Sequence, residues 1–150
     1  MSPERVALDT NVLVSSLLNS FGAPGRVLDL VLAGELSVAH DDRILSEYRD
    51  VLRREKFGFS TVDIEKILDF LETEGIRVNP PVLGAKLPDV KDLPFLEVAH
   101  AAGAVLVTGN LKHYPEAQRQ EVEILDPATF LETWLVRVRD RRSEPGDADV

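Results

Sequence analysis

No cysteine occurs anywhere in the chain. Disulfides, zinc–thiolate sites and cysteine nucleophiles are thereby excluded together, which suits a reducing compartment. Long apolar runs are missing as well, since no stretch reaches the roughly 18 residues needed to span a bilayer. Met1-Ser2-Pro3-Glu4 leads into the first apolar segment without the basic region and hydrophobic stretch of a signal peptide. The expectation is a soluble, cytoplasmic protein with no membrane association. Positive charge is also in short supply: 17 Lys and Arg against 26 Asp and Glu give a net charge of −9. Taken alone this argues against a nucleic-acid binder, because phosphate contacts usually need a basic footprint. Two arrangements would remove the objection. Acidic residues can be gathered where divalent cations invert the local charge, or the cations can be collected on one face.

What is present is an ordinary globular composition, 44% hydrophobic and 29% charged over 150 residues, enough for one domain with a substantial core. There is no internal repeat. Arg5 to Asp9 is a short apolar run ending in a carboxylate, and Asn11 to Leu18 reads as helix. Pro24 opens a second helix that Gly34 closes. Leu36 to His40 reads as the second strand, and a third helix follows Asp41 and Asp42 to about Lys56, where Gly58 breaks it. Ser60 with Asp63 resembles a capping box for a helix to about Glu74. Ile76 to Val78 is a brief third strand stopped by Pro80-Pro81, and Gly84 to Lys91 is loop. Asp92 occupies an N-cap position before the helix Leu93 to Ala102, which Gly103 terminates. Ala104 to Thr108 and Val122 to Leu125 complete the strands, and Pro127 starts a last helix to about Leu135. Short apolar runs alternating with helices predict an α/β fold, a three-layer sandwich whose parallel sheet is covered on both faces. The expected domain spans residues 1–136. Residues 137–150 form a basic-to-acidic tail that begins with Arg137, Arg139, Arg141 and Arg142 and becomes small, polar and disordered from Ser143 onward.

In such sheets, ligands bind beyond the carboxyl ends of the strands, where strand order reverses. Asp9 ends the first strand there, Thr108-Gly109-Asn110 ends the fourth, and Asp92 precedes the helix into the fourth, with Asp89 in the same loop. Glu47 borders the apolar stripe Ile44, Leu45, Tyr48, Val51 and Leu52 of its helix, so its carboxylate lies at a rim. Each has a plain structural reading: Asp9 and Asp92 as N-caps, Glu47 as a solvated helix residue, Asp89 and Asp126 as loop carboxylates, and Thr108-Gly109-Asn110 as a turn. Taken jointly, converging carboxylates repel one another unless a divalent cation removes the penalty. Magnesium and manganese prefer oxygen ligands and support phosphodiester cleavage by activating water.

Four segments resemble the PIN-domain family: Val6-Ala7-Leu8-Asp9-Thr10-Asn11-Val12-Leu13-Val14, Ile44-Leu45-Ser46-Glu47-Tyr48, Asp92-Leu93-Pro94-Phe95-Leu96-Glu97-Val98-Ala99, and Val107-Thr108-Gly109-Asn110-Leu111-Lys112-His113. They occur in family order between about Val6 and Leu135, and the likeness is greatest to the bacterial subgroup of toxin components of toxin–antitoxin pairs. The resemblance implies a sheet of order 3-2-1-4-5 and Mg2+- or Mn2+-dependent endoribonuclease activity on single-stranded or structured RNA. Asp9, Glu47 and Asp92 would be the principal acids. Asp9 would be central among the metal ligands, Asp92 would ligate directly or through water, and Glu47 would position water. Thr10, Asn11 and Thr108 would orient these carboxylates by hydrogen bonds. Many PIN domains carry Asp where this chain has Asn110, so a second metal would be held less tightly, with Asp89 as a compensating ligand. Arg49, Arg53, Arg54, Lys112 and His113 are the expected RNA contacts. Implied partners are an RNA substrate and a small antitoxin protein, and homodimerisation is compatible. Two alternatives remain: a non-catalytic PIN-like module that binds RNA or protein, and another acidic-pocket α/β phosphohydrolase. An aspartyl phosphatase would normally carry a second Asp two residues after the first, where this chain has Asn11.

Overall fold

The computed structural model describes residues 3–142. Its elements are β1 (Glu4–Leu8), α1 (Thr10–Leu18), α2 (Ala23–Leu32), β2 (Leu36–His40), α3 (Asp42–Leu52), α4 (Thr61–Glu74), β3 (Ile76–Arg77), α5 (Leu93–Ala102), β4 (Val105–Val107), β5 (Ile124–Leu125) and α6 (Pro127–Arg142). The five strands form one sheet of order β3-β2-β1-β4-β5, and every neighbouring pair is parallel. This is the order implied by the family resemblance. Val6, Ala7 and Leu8 of β1 and all five residues of β2 are buried. From Val6 onward neither face of β1 is left for water, which explains its continuous apolar end, and β2 buries even Ser37 and His40. Helix α5 packs on β1, β2 and β4, while α1 packs on α2 and α2 on α6. No helix among the described residues is long and apolar enough to cross a membrane.

Several boundaries depart from expectation for local reasons. Helix α3 ends at Leu52, and Glu55–Phe57 forms a separate 3-10 turn closed by Gly58 at φ 66°. Ser60 stands at the N-cap of α4, but its side chain makes no capping bond, so the expected box is not formed. Asp92 adopts helical backbone angles and likewise caps nothing. Asp89 caps a separate 3-10 turn, Val90–Asp92, that leads into α5: its Oδ1 accepts from the Lys91 N–H at 2.9 Å. Helix α6 continues past Leu135 to Arg142. The segment from Ser143 onward, expected to be disordered, lies outside the described residues.

The reversal point of the sheet lies at β1, which sends the chain to β2 on one side and pairs with β4 on the other. The residues just beyond the carboxyl ends of β1 and β4 are Asp9 and Thr108, both buried. The Asp9 N–H donates to Val107 C=O at 2.9 Å, locking the two strand ends together.

Candidate active site

Asp9 occupies the N-cap position of α1 without capping it. Its Oδ2 accepts instead from Thr108 Oγ1 at 2.9 Å and from the Tyr114 hydroxyl at 3.0 Å. These donors come from the far side of the strand junction, so they orient the carboxylate from the β4 side. Burial raises the Asp9 pKa, and the two hydroxyl donors oppose the rise. The Tyr114 hydroxyl, itself buried beside Asp9, is pushed well up by that burial and by the neighbouring carboxylates, so it remains a donor at all ordinary pH. Beneath, the Tyr48 hydroxyl donates to Leu8 C=O at 2.5 Å, fixing α3 against the end of β1.

Asp92 faces the same space from the start of α5. It is 8% exposed, and its carboxyl is raised to about 6, first by burial and then by the charge of Asp9. His113 Nδ1 lies 3.0 Å from Asp92 Oδ2 and opposes the rise. His113 is the one side chain the structure places against this buried oxygen. Glu47 enters from α3, half-buried, and accepts a short hydrogen bond from Thr10 Oγ1. Thr10 thus links the second carboxylate to the residue next to the first.

Asp9, Thr10, Glu47 and Asp92 line one open cleft of about 810 Å³, together with Asn11, Asp89 and His113. A smaller hollow of about 290 Å³, lined by residues of α2, β2 and α4, carries Glu74 but no acidic cluster. Other predicted residues have different engagements. Asn11 Oδ1 accepts from the Gly109 N–H at 2.9 Å and so ties α1 to the turn after β4. The Asn110 side chain contacts His113 Nε2 at 2.9 Å and does not line the cleft. Among the predicted cations, Arg54 and His113 line the cleft, whereas Arg49 and Arg53 are held by Glu65 of α4 at 3.3 and 2.7 Å. Lys112 is exposed outside it.

Sequence reasoning did not single out Tyr114 or Arg43, and it placed Tyr48 only in the apolar stripe of its helix. Arg43 reaches the cleft wall from α3, held by Asp41 at 2.8 Å and by the buried Glu97 at 2.7 Å. Glu97 also accepts from the Leu83 N–H at 3.1 Å. Arg43 lies four residues before Glu47, one helical turn away, and that spacing was the available signal. Tyr114 gave none, because its partner Asp9 lies across the sheet.

Among the described residues no group of three or more acidic, histidine or cysteine side chains is close enough to form a ready metal cage. The donors present nonetheless suit a hard cation. Asp9 and Asp92 offer buried carboxylate oxygens, the Asp92 Oδ2 contacted by His113 alone, and magnesium is commonly held by one or two carboxylates plus water and substrate phosphate. The proton-favouring pair would lose its mutual repulsion on binding such an ion.

Comparison with known proteins bears on the family and the fold. A family profile described as PIN domain matches residues 5–112. The uncharacterized protein MJ1680 of Methanocaldococcus jannaschii is 29% identical over 109 residues, 71% of this chain and 70% of that protein. The crystal structure of FitAcB from Neisseria gonorrhoeae is similar in fold, with a TM-score of 0.58 at 17% identity over 82% of this chain and 98% of that one. VapBC2 from Rickettsia felis, solved bound to a DNA fragment from its promoter, gives a TM-score of 0.53 at 22% identity over 81% and 97% of the two chains. The profile covers most of the chain, from β1 through the turn after β4, and takes in every acid of the cleft: this chain belongs to the PIN-domain family.

Proposed function

We propose that the chain is a divalent-metal-dependent endoribonuclease acting through Asp9, Glu47 and Asp92. PIN domains are generally nucleases. The single observation that carries the reading is the pair Asp9 and Asp92: two buried carboxylates, both pushed toward protonation, facing one cleft at the reversal point of the sheet. Asp9 and Asp92 would hold Mg2+ or Mn2+, whose chemistry is to polarise a phosphoryl oxygen and to acidify water. Thr108 and Tyr114 fix the direction of the Asp9 oxygens. Thr10 holds Glu47 in position to accept a proton from attacking water. His113 offsets part of the negative charge at Asp92 and stands where a phosphate can reach it. Asn110, engaged by His113, serves this histidine's orientation in preference to direct ligation, and Asp89 is occupied in capping its turn.

The test is incubation of purified protein with mixed RNA and manganese beside Asp9→Asn. Cleavage by the parent and its loss in the variant is the expected result; equal cleavage by both removes the proposal. The uncharged Asn110, where many PIN domains carry Asp, favours one other reading, a non-catalytic RNA- or protein-binding module. Intact protein that cleaves none of several RNAs with either metal would support it.

We further infer the toxin role of a toxin–antitoxin pair in the cytoplasm, with a small antitoxin as partner. Support comes from the motif resemblance and from the likeness to FitAcB and VapBC2. Expression should arrest growth, and the neighbouring open reading frame should relieve the arrest. Harmless expression of cleavage-active protein would count against this role.

A further inference from the structure

The far wall of the acidic cleft contains a feature that metal chemistry does not require. Phe57, in the 3-10 turn after α3, lines the same cleft as Asp9, Glu47 and Asp92. It is half-buried, and it stacks on Phe59 with centroids 5.6 Å apart and ring planes at 14°. The exposed Lys56 holds its Nζ 5.0 Å from the Phe57 centroid. Arg54, three residues earlier, lines the cleft beside it. Phe57 and Phe59 both pack against the edge of the core, so the ring is held rigidly while part of it stays open to the cleft. The arrangement has the composition of a stacking platform for single-stranded nucleic acid, in which rings take bases and cations take the backbone.

We propose that Phe57, with Arg54 and Lys56, forms a nucleobase-stacking subsite that admits single-stranded RNA to the cleft. The inference rests on the ribonuclease reading for the identity of the polymer, but it concerns binding alone. Phe59 buttresses the platform. The ammonium of Lys56 leaves the ring when a base arrives and moves on its flexible stem to the adjacent phosphate; an exposed cation–π contact is weak enough to be exchanged in this way. Arg54 is loosely engaged, 3.6 Å from the exposed Asp50, and can take a second phosphate. A base paired within a duplex has both faces occupied by its neighbours, so the platform selects unpaired segments.

The experiment uses the full chain with calcium in place of magnesium, and a fluorescein-labelled RNA of ten adenosines as probe. Fluorescence anisotropy is read for the parent, Phe57→Ala and Phe57→Trp, with the folded state of each checked by its melting temperature. Phe57→Ala should weaken binding about tenfold or more, and Phe57→Trp should restore it with quenched indole fluorescence. A matched RNA with scattered abasic sites should bind the parent about as weakly as the intact RNA binds Phe57→Ala. Equal binding by folded Phe57→Ala, or no penalty for the abasic RNA, would overturn the subsite. Failure here is separable from failure of the nuclease reading. Cleavage that persists unchanged in Phe57→Ala sinks the platform alone, whereas Phe57-dependent binding without cleavage leaves the platform standing.

Discussion

At the residue scale the two buried carboxylates make opposite demands on solvent and on metal. Asp92 is held at about 6 by burial and by the Asp9 charge. Replacing Asp9 by Asn removes the second cause, so the Asp92 carboxyl should titrate nearer the usual range near 4. Carbon-13 NMR of the labelled carboxyl measures this, and an unchanged value near 6 would mean that burial alone sets it. The sign for stability follows from the same shift. Between about 4 and 6 the folded, metal-free protein keeps a proton that the unfolded chain has released, so Asp92's contribution to stability declines as pH rises through that window. Metal binding runs the other way, because it requires the ionised form. Calorimetric affinity for manganese should therefore rise from pH 5 to 7 and level off above.

Tyr114 offers a second test on the same oxygen. Tyr114→Phe leaves Asp9 Oδ2 with Thr108 as its remaining side-chain donor. Removing one partner from a buried acceptor costs about 1–3 kcal/mol, and supporting hydrogen bonds around metal ligands commonly carry about 10- to 100-fold in affinity or activity. Thermal melting and a manganese titration of cleavage should both move, with Asp9 becoming easier to protonate. A variant with parental melting and parental metal dependence would show that Thr108 suffices.

At the scale of elements, the junction between α4 and β3 tolerates no side chain. A Cβ on Gly75 would lie 2.3 Å from Leu71 C=O and 2.4 Å from Val38 C=O. The obstacles are backbone atoms of a helix end and of β2, which cannot swing aside. Gly75→Ala should cost about 1–3 kcal/mol or more, read as a lower urea midpoint with an unchanged slope. Because β3 pairs with β2 at Ala39 and His40, just before Asp41, the damage should spread to the Asp41–Arg43–Glu97 network. It should leave the β1–β4 junction at Asp9 intact.

For the whole molecule, the net charge of −9 sets how RNA can be held. Arg49 and Arg53 are committed to Glu65, and Arg43 to Asp41 and Glu97. Arg54, Lys56 and Lys91 stay near the cleft as cations for phosphate. Each phosphate neutralised on a single strand contributes about −0.7 to the slope of log affinity against log salt. RNA binding in calcium should thus show a slope no steeper than about −2. A slope near −5 would reveal a basic footprint elsewhere on the surface and displace the cleft as the main contact.

What the sequence determined by itself was the layout of the sheet's interior and its edges. The apolar runs at Val6–Leu8 and Val38–Ala39 could be stable only with both faces covered, and carboxylates at strand ends mark where a parallel sheet binds. Asp9, Glu47 and Asp92 were legible because each sits at a strand end, a helix rim or a helix start. Tertiary structure decided what those residues do. Asp9 and Asp92 both looked like helix caps, and neither caps: the hydroxyls of Thr108 and Tyr114 reach Asp9 across the strand junction, while the 3-10 turn capped by Asp89 runs straight into α5 and leaves Asp92 with helical backbone angles. Arg49 and Arg53 looked like RNA contacts, and the packing of α4 on α3 gives both a carboxylate partner in Glu65 that no local rule announced. Local rules count the bonds a residue can make with its neighbours in the chain. The partners that win at Asp9 lie about a hundred positions away, and only the pairing of β1 with β4 brings them within reach.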